Sequence, residues 1–247
     1  MDLKRSIILF AEKEPFNLCD VIRHIPNILT LFNLACGSFG IVMVFRGELQ
    51  LGSFMIWTGA LFDFFDGFAA RILKSTSPIG KDLDSLADLV TFCFLPASII
   101  YVLISMGTEN EIIPFSGYLL VIFGALRLAK FNNDTRQFEN FYGLPVPSSA
   151  IFVSGLPFIL SLQTSGFYTF FSHPYTLSGI AILLSVMMVS NVKLMALKFK
   201  NFSFADNWLR YLLIALAIVL LVLLKFIALP LIIIIYVVLS VALNIVE

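Results

Sequence analysis

An all-α membrane bundle of about eight transmembrane helices is the fold this chain predicts, on three observations. Of its 247 residues, 59% are hydrophobic and only 13% charged, with a mean hydropathy of +0.96. Soluble domains are roughly 45–50% apolar and about 25% charged, so an ordinary soluble domain is excluded. The apolar residues fall into runs close to the roughly 20 residues that a helix needs to cross a bilayer. The basic residues collect on one side of the resulting layout. Lipid offers the backbone no hydrogen-bond partner, so each run satisfies itself as a helix.

The elements follow in chain order. Residues 2–22 place Leu3, Ile7, Phe10 and Ala11 at helical spacing among charges, which predicts an amphipathic helix on the inner leaflet. The mixture of Lys4, Arg5, Glu12, Lys13, Glu14 and Asp20 lacks the continuous apolar core of a cleavable signal peptide. Spans are then read at about 26–45, 51–72, 86–106, 112–131, 147–162, 175–191, 208–226 and 228–245. Lys225 and Pro230 favour a tight turn between the last two over one very long helix. This organises the chain as a juxtamembrane segment 1–24, a six-span core 25–190, and a linker with two additional spans, 191–247. With the N-terminus inside, all sixteen Lys and Arg residues except Arg46 and Lys225 lie on the cytoplasmic side. The turn near 107–113 carries Glu109 and Glu111 and no cation, as an outer turn should. The expected location is a multi-pass one in a cell membrane, a prokaryotic inner membrane being the expectation, with the acidic face toward the cytoplasm. Cys19, Cys36 and Cys93 are scattered and odd in number, which argues against a disulfide framework or a metal motif. His173 falls near the outer face, away from any chemistry. Membrane lipids are the expected surroundings, and no nucleic acid is expected as a partner.

One feature departs from this apolar background. Asp63, Asp66, Gly67, Ala70 and Arg71 are followed, after eight residues, by Gly80, Asp84 and Asp88. Carboxylates are costly at membrane depth and mark functional sites. Steps of three and four keep residues on one helix face, so the first five line a stripe ending the second span. The last three line a stripe opening the third. Ser77-Pro78 fits a helix start, with Ser as cap and Pro in the first turn. The linker folds the stripes together at the cytoplasmic ends of helices two and three. Four like charges in a poorly solvated pocket repel, and two divalent cations resolve the conflict. All-oxygen ligation by Asp63, Asp66, Asp84 and Asp88 selects Mg²⁺ or Mn²⁺ over zinc. Two such ions clamp attacking and leaving oxygens in phosphoryl transfer. Gly67 and Gly80 let backbone approach a bulky ligand, and Arg71 offers a fork suited to a diphosphate. A cation or proton transporter is the alternative of a different class, but it predicts acids spread through the membrane depth. Spans five to eight carry none in their apolar cores.

The frame D-x-x-D-G-x-x-A-R-x(8)-G-x-x-x-D-x-x-x-D resembles the signature of the CDP-alcohol phosphotransferases, and every fixed position is matched. The resemblance implies a helical membrane enzyme, usually a homodimer, that transfers a phosphoalcohol group from a CDP-linked donor to a hydroxyl and releases CMP. It implies metal-ligand roles for Asp63, Asp66, Asp84 and Asp88, and a general-base role for Asp88. Gly67, Ala70, Arg71 and Gly80 would line the CDP-diacylglycerol headgroup pocket. Ile25–Thr30, Asn33–Gly37, Leu83–Asp88, Leu126–Asn132 and Tyr142–Pro147 look like the branch that joins CDP-diacylglycerol to L-serine. Cys93 stands where that branch usually has glycine. The same chemistry with glycerol 3-phosphate or inositol phosphate as acceptor is the alternative within the family.

Serine is a zwitterion and needs a cation for its carboxylate. Arg127, at the cytoplasmic end of the fourth span, is the expected grip, with Lys130 or Asn132 in support. Lys81 could touch a donor phosphate instead. Lys193, Lys198, Lys200 and Arg210 suit topology and anionic lipid.

Overall fold

The computed structural model describes residues 18–75, 77–133, 141–162, 166–195 and 204–246. The predicted amphipathic segment lies almost wholly outside them, as do Arg136, Lys198 and Lys200. The described chain is mostly helical. In order come α1 (Leu18–Phe45), α2 (Leu49–Ile72), α3 (Pro78–Ser105), α4 (Ile113–Asn133, opening with a 3-10 stretch) and α5 (Val146–Leu160). They are followed by the short α6 (Gly166–Phe171), α7 (Pro174–Val189), α8 (Phe204–Leu224) and α9 (Ala228–Val246). Four helical stretches are long and apolar enough to cross a membrane, namely His24–Phe45, Pro78–Ser105, Ile113–Asn133 and Asn207–Leu243. The last is interrupted at Lys225, whose φ of +53° and following 3-10 turn separate α8 from α9. The two then pack against each other.

α3 is the centre of the bundle. Of its most apolar window 67% is buried within the protein, against 11% for Asn207–Leu243. Phe92, Leu95, Ile99, Ile100 and Ile104 are fully buried along it. The helix changes pitch just past Asp88, where Leu89–Phe94 form a π-helical turn and the Leu95 N–H reaches back to the Val90 carbonyl. Pro96 supplies the cause, since it has no N–H and its ring clashes with the carbonyl four residues back. π turns are often found at functional sites.

Small residues bring α1 and α2 close to α3. A Cβ on Gly37 would strike Thr91, and one on Gly59 would lie 2.5 Å from Thr91 Cγ2. Thr91 Oγ1 donates to the Asn33 carbonyl at 2.9 Å. Such close approach is the usual device of membrane helix packing. Cys93 finds its compensation here as well, because Gly124 of α4 faces it and a Cβ there would collide with its Sγ. We expect Gly124→Ala to lower Tm, with a cost of about 1–3 kcal/mol for overpacking a buried contact. Cys93→Gly in the same chain should recover most of that loss, and additive losses in a thermal-melt cycle would refute the pairing.

A two-residue antiparallel ribbon was not anticipated from the sequence. β1 (Phe141–Tyr142) pairs with β2 (Lys193–Leu194), Phe141 opposite Leu194. Gly143 follows with φ +76°, its N–H bonded to the Val192 carbonyl at 2.9 Å. The ribbon ties the start of α5 to the segment after α7. At the other end of the bundle, Trp57 donates to Ser154 Oγ at 2.8 Å and packs on Phe158 and Phe226, fixing the α8–α9 turn.

Candidate active site

The start of α3 is set by local chemistry. Ser77 is extended, its Oγ accepts the Gly80 N–H at 3.0 Å, and Pro78 takes the first helical position. The turn before it reverses direction with Lys74 at φ +47°. The second and third turns of α3 therefore face the last turns of α2. Carboxylate oxygens of Asp63, Asp66 and Asp84 all lie within 4.8 Å of one another. Asp66 is buried and accepts Thr30 Oγ1 at 2.7 Å. Asp88 adjoins Asp63 closely enough for the two carboxyl groups to share a hydrogen bond, and Asn33 Nδ2 approaches its Oδ1 at 3.5 Å.

The three clustered carboxylates could hold a metal ion. Asp84 Oδ1 is buried and accepts no hydrogen bond, so it retains a lone pair aimed at nothing in the protein. A hard cation fits that donor set, which contains neither sulfur nor imidazole.

A cleft of about 230 Å³ opens beside the cluster. α2 contributes Asp66, Gly67 and Ala70, α3 contributes Gly80, Lys81 and Asp84, and α1 contributes Asn27 and Thr30. Gly67 is open on its side-chain face, with Arg71 Nη2 the nearest atom at 3.7 Å from an added Cβ. Gly80 is different, because an added Cβ would press to 3.0 Å on both Asn27 Oδ1 and Ser77 Oγ. Its lack of a side chain serves helix packing as well as ligand approach. Arg71 does not line the cleft. It is exposed, and its Nε donates to the Gly67 carbonyl at 2.9 Å.

A model of the CDP-alcohol phosphatidyltransferase family matches residues 23–197. This chain belongs to that family. Among its relatives, the CDP-diacylglycerol–serine O-phosphatidyltransferase of Bacillus subtilis is 33% identical over 181 residues, which are 70% of this chain and 90% of the relative. The archaetidylserine synthase of Methanothermobacter thermautotrophicus is 33% identical over 172 residues, 68% of either chain. The CDP-diacylglycerol–serine O-phosphatidyltransferase of Saccharomyces cerevisiae is 34% identical over 151 residues, 55% of this chain and 54% of the relative. The chain is thus a membrane-helix transferase, and the aspartate cluster lies inside the matched region.

α4 of the transferase also holds a buried cation. Arg127 of α4 is 8% exposed, its Nε has no hydrogen-bond partner, and its guanidinium lies 5.8 Å from the Phe131 ring centroid. It is within electrostatic reach of Asp88. The other expected acceptor residues are engaged within the protein. Lys130 Nζ donates to Asn191 Oδ1 at 3.2 Å, Lys81 Nζ to the Asn132 carbonyl at 2.8 Å, and Asn132 Nδ2 to Ser85 Oγ at 2.7 Å. Together they brace the end of α4 against α3 and the segment after α7.

Three polar residues of α1 escaped the sequence reading as site residues. Asn27, Thr30 and Asn33 reach the cleft, Asp66 and Asp88 respectively. The available signal was their spacing of three, which puts a polar stripe on an otherwise apolar helix.

Proposed function

We propose that this transferase moves the phosphatidyl group of CDP-diacylglycerol to the hydroxyl of L-serine, giving phosphatidylserine and CMP. The observation that carries the reading is Arg127, a buried guanidinium with an unpartnered N–H beside the carboxylate cluster. A buried charge left unsatisfied is costly, and an acceptor carboxylate would satisfy it. The names of the relatives point to the same acceptor.

In this mechanism the cleft takes the CMP-diphosphate, with Gly67, Ala70 and Gly80 allowing close approach and Asn27 and Thr30 completing the wall. Two divalent cations, Mg²⁺ or Mn²⁺, held by Asp63, Asp66, Asp84 and Asp88, would neutralise charge on the diphosphate. Arg127 orients serine by its carboxylate. Asp88 accepts the hydroxyl proton, the serine oxygen bonds to the phosphorus bearing diacylglycerol, and the bond to CMP breaks. Arg71 is exposed with its Nη2 over the cleft-lining Gly67, so in this reading it meets the diphosphate from the rim of the cleft. The reading also takes residues 25–190 as the catalytic core of six spans, within eight in all. The aspartates then face the cytoplasm, and the working form is a homodimer.

The purified protein, incubated with CDP-diacylglycerol, Mn²⁺ and separate alcohols, tests this directly. CMP release that requires serine supports the proposal. Release with glycerol 3-phosphate or inositol phosphate instead reassigns the acceptor. Arg127→Ala should raise the serine KM by roughly ten- to a hundredfold, the worth of a hydrogen bond to a charged group, with the donor KM little changed. An unchanged serine KM would reduce Arg127 to a topology anchor.

A further inference from the structure

Lys81 belongs to two neighbourhoods at once. Near the start of α3, one residue after Gly80, it lines the cleft beside the aspartates. Its Nζ also donates to the Asn132 carbonyl at 2.8 Å, across 51 residues of chain. Asn132 is the penultimate residue of α4. The last four carbonyls of a helix have no partner within it, and a lysine ammonium suits that end. Side chains close the same contact. Asn132 Nδ2 donates to Ser85 Oγ at 2.7 Å, and Ser85 Oγ donates to the Lys81 carbonyl at 3.2 Å. Lys81, Ser85 and Asn132 thus form a ring that ties one turn of α3 to the end of α4, the helix that carries Arg127.

We infer that Lys81 couples the donor cleft to the helix of the acceptor grip, so that a nucleoside diphosphate in the cleft steadies the end of α4 and favours acceptor binding. An ammonium has three N–H donors, and the Asn132 carbonyl takes one. Lys81 is exposed, which leaves the other two open to an anion. A phosphate oxygen seated in the cleft takes one of them in a charge-assisted bond and displaces water from the ammonium. A hydrogen bond shielded from water is stronger than one competing with it, so the Asn132 contact strengthens as well. α4 then has less freedom to lose when the acceptor arrives, which couples the two sites without a change of fold. The inference deepens the proposed function and rests on its placing of the diphosphate in the cleft and of the acceptor on Arg127.

The probe is CDP, which brings the diphosphate and has no phosphatidyl group to transfer. In full-length, Mn²⁺-loaded protein, hydrogen exchange in the last turn of α4 and binding of labelled L-serine are each followed with and without saturating CDP. In the wild type, CDP should slow that exchange and tighten serine by about fivefold or more, the lower end of coupling between sites. Lys81→Met keeps the stem and loses the charge, and should abolish both effects. Ser85→Ala, outside the cleft, should bind CDP as the wild type does and lose part of the protection. Protection that is absent in the wild type, or equal in Lys81→Met, overturns the inference and leaves serine-dependent CMP release standing. The inference also fails if serine supports CMP release while its affinity ignores CDP. Protection that depends on Lys81, in a protein that releases no CMP with serine, supports the link and overturns the acceptor reading instead.

Discussion

Asp88→Asn should leave CDP-diacylglycerol binding in place and lower turnover by about 10²–10⁴-fold, the contribution of a positioned general base. The substitution is nearly isosteric. Its carbonyl oxygen can still accept from Asn33 Nδ2, which approaches Asp88 at 3.5 Å, so the local packing survives. What disappears is the capacity to take the serine proton. Donor binding followed by calorimetry and CMP release followed in a single turnover separate the two. Because Asp88 adjoins Asp63, it could act mainly through the metal. Rescue of Asp88→Asn by high Mn²⁺ would show that, and near-normal turnover without rescue would remove Asp88 from the chemistry altogether.

Chelation should abolish CMP release, with recovery on adding Mn²⁺ or Mg²⁺. The reason is in the cluster itself. Asp63, Asp66 and Asp84 bring carboxylate oxygens within 4.8 Å of one another. At an effective dielectric constant of about 20, two unit charges at that distance repel by roughly 3.5 kcal/mol. Asp84→Asn removes one of those charges and gives the buried position a donor. In metal-free protein the variant should therefore melt higher than wild type, while losing both activity and the Mn²⁺-induced rise in Tm. A lower Tm for metal-free Asp84→Asn, with the Mn²⁺ response intact, would show that the cluster is a hydrogen-bonded structural element.

Much of this was legible because local rules act over a few residues. The apolar runs coincide with helices since a helix is the form that satisfies backbone in lipid. Ser77 and Pro78 start α3 where capping chemistry places the start. Lys225 breaks the last long stretch, although by a left-handed residue and a 3-10 turn ahead of Pro230. Spacing also placed Asp63, Asp66 and Asp84 on facing stripes that the structure brings together. Other features were hidden by the same locality. Arg71 on the same stripe is exposed, its Nε bonded to the Gly67 carbonyl four residues back, a side-chain conformation that spacing does not specify. The fit of Cys93 against Gly124 depends on how α3 and α4 lie side by side, which neither local sequence specifies. The support of the aspartates by α1 spans 36 residues for Thr30 and Asp66, and 55 for Asn33 and Asp88.

By itself, the sequence determined the membrane-helix class, the family and the acidic frame, because hydrophobic length and helical period need only neighbouring residues. Only the tertiary structure decided which side chains complete the site. Thr30 and Asn33 meet the aspartates because small residues let α1 and α2 cross tightly against α3. Arg127 is buried with an unpartnered Nε on an α4 whose end is braced against α3 and the segment after α7. Each depends on how far apart helices come to lie, a quantity that no short stretch of chain specifies.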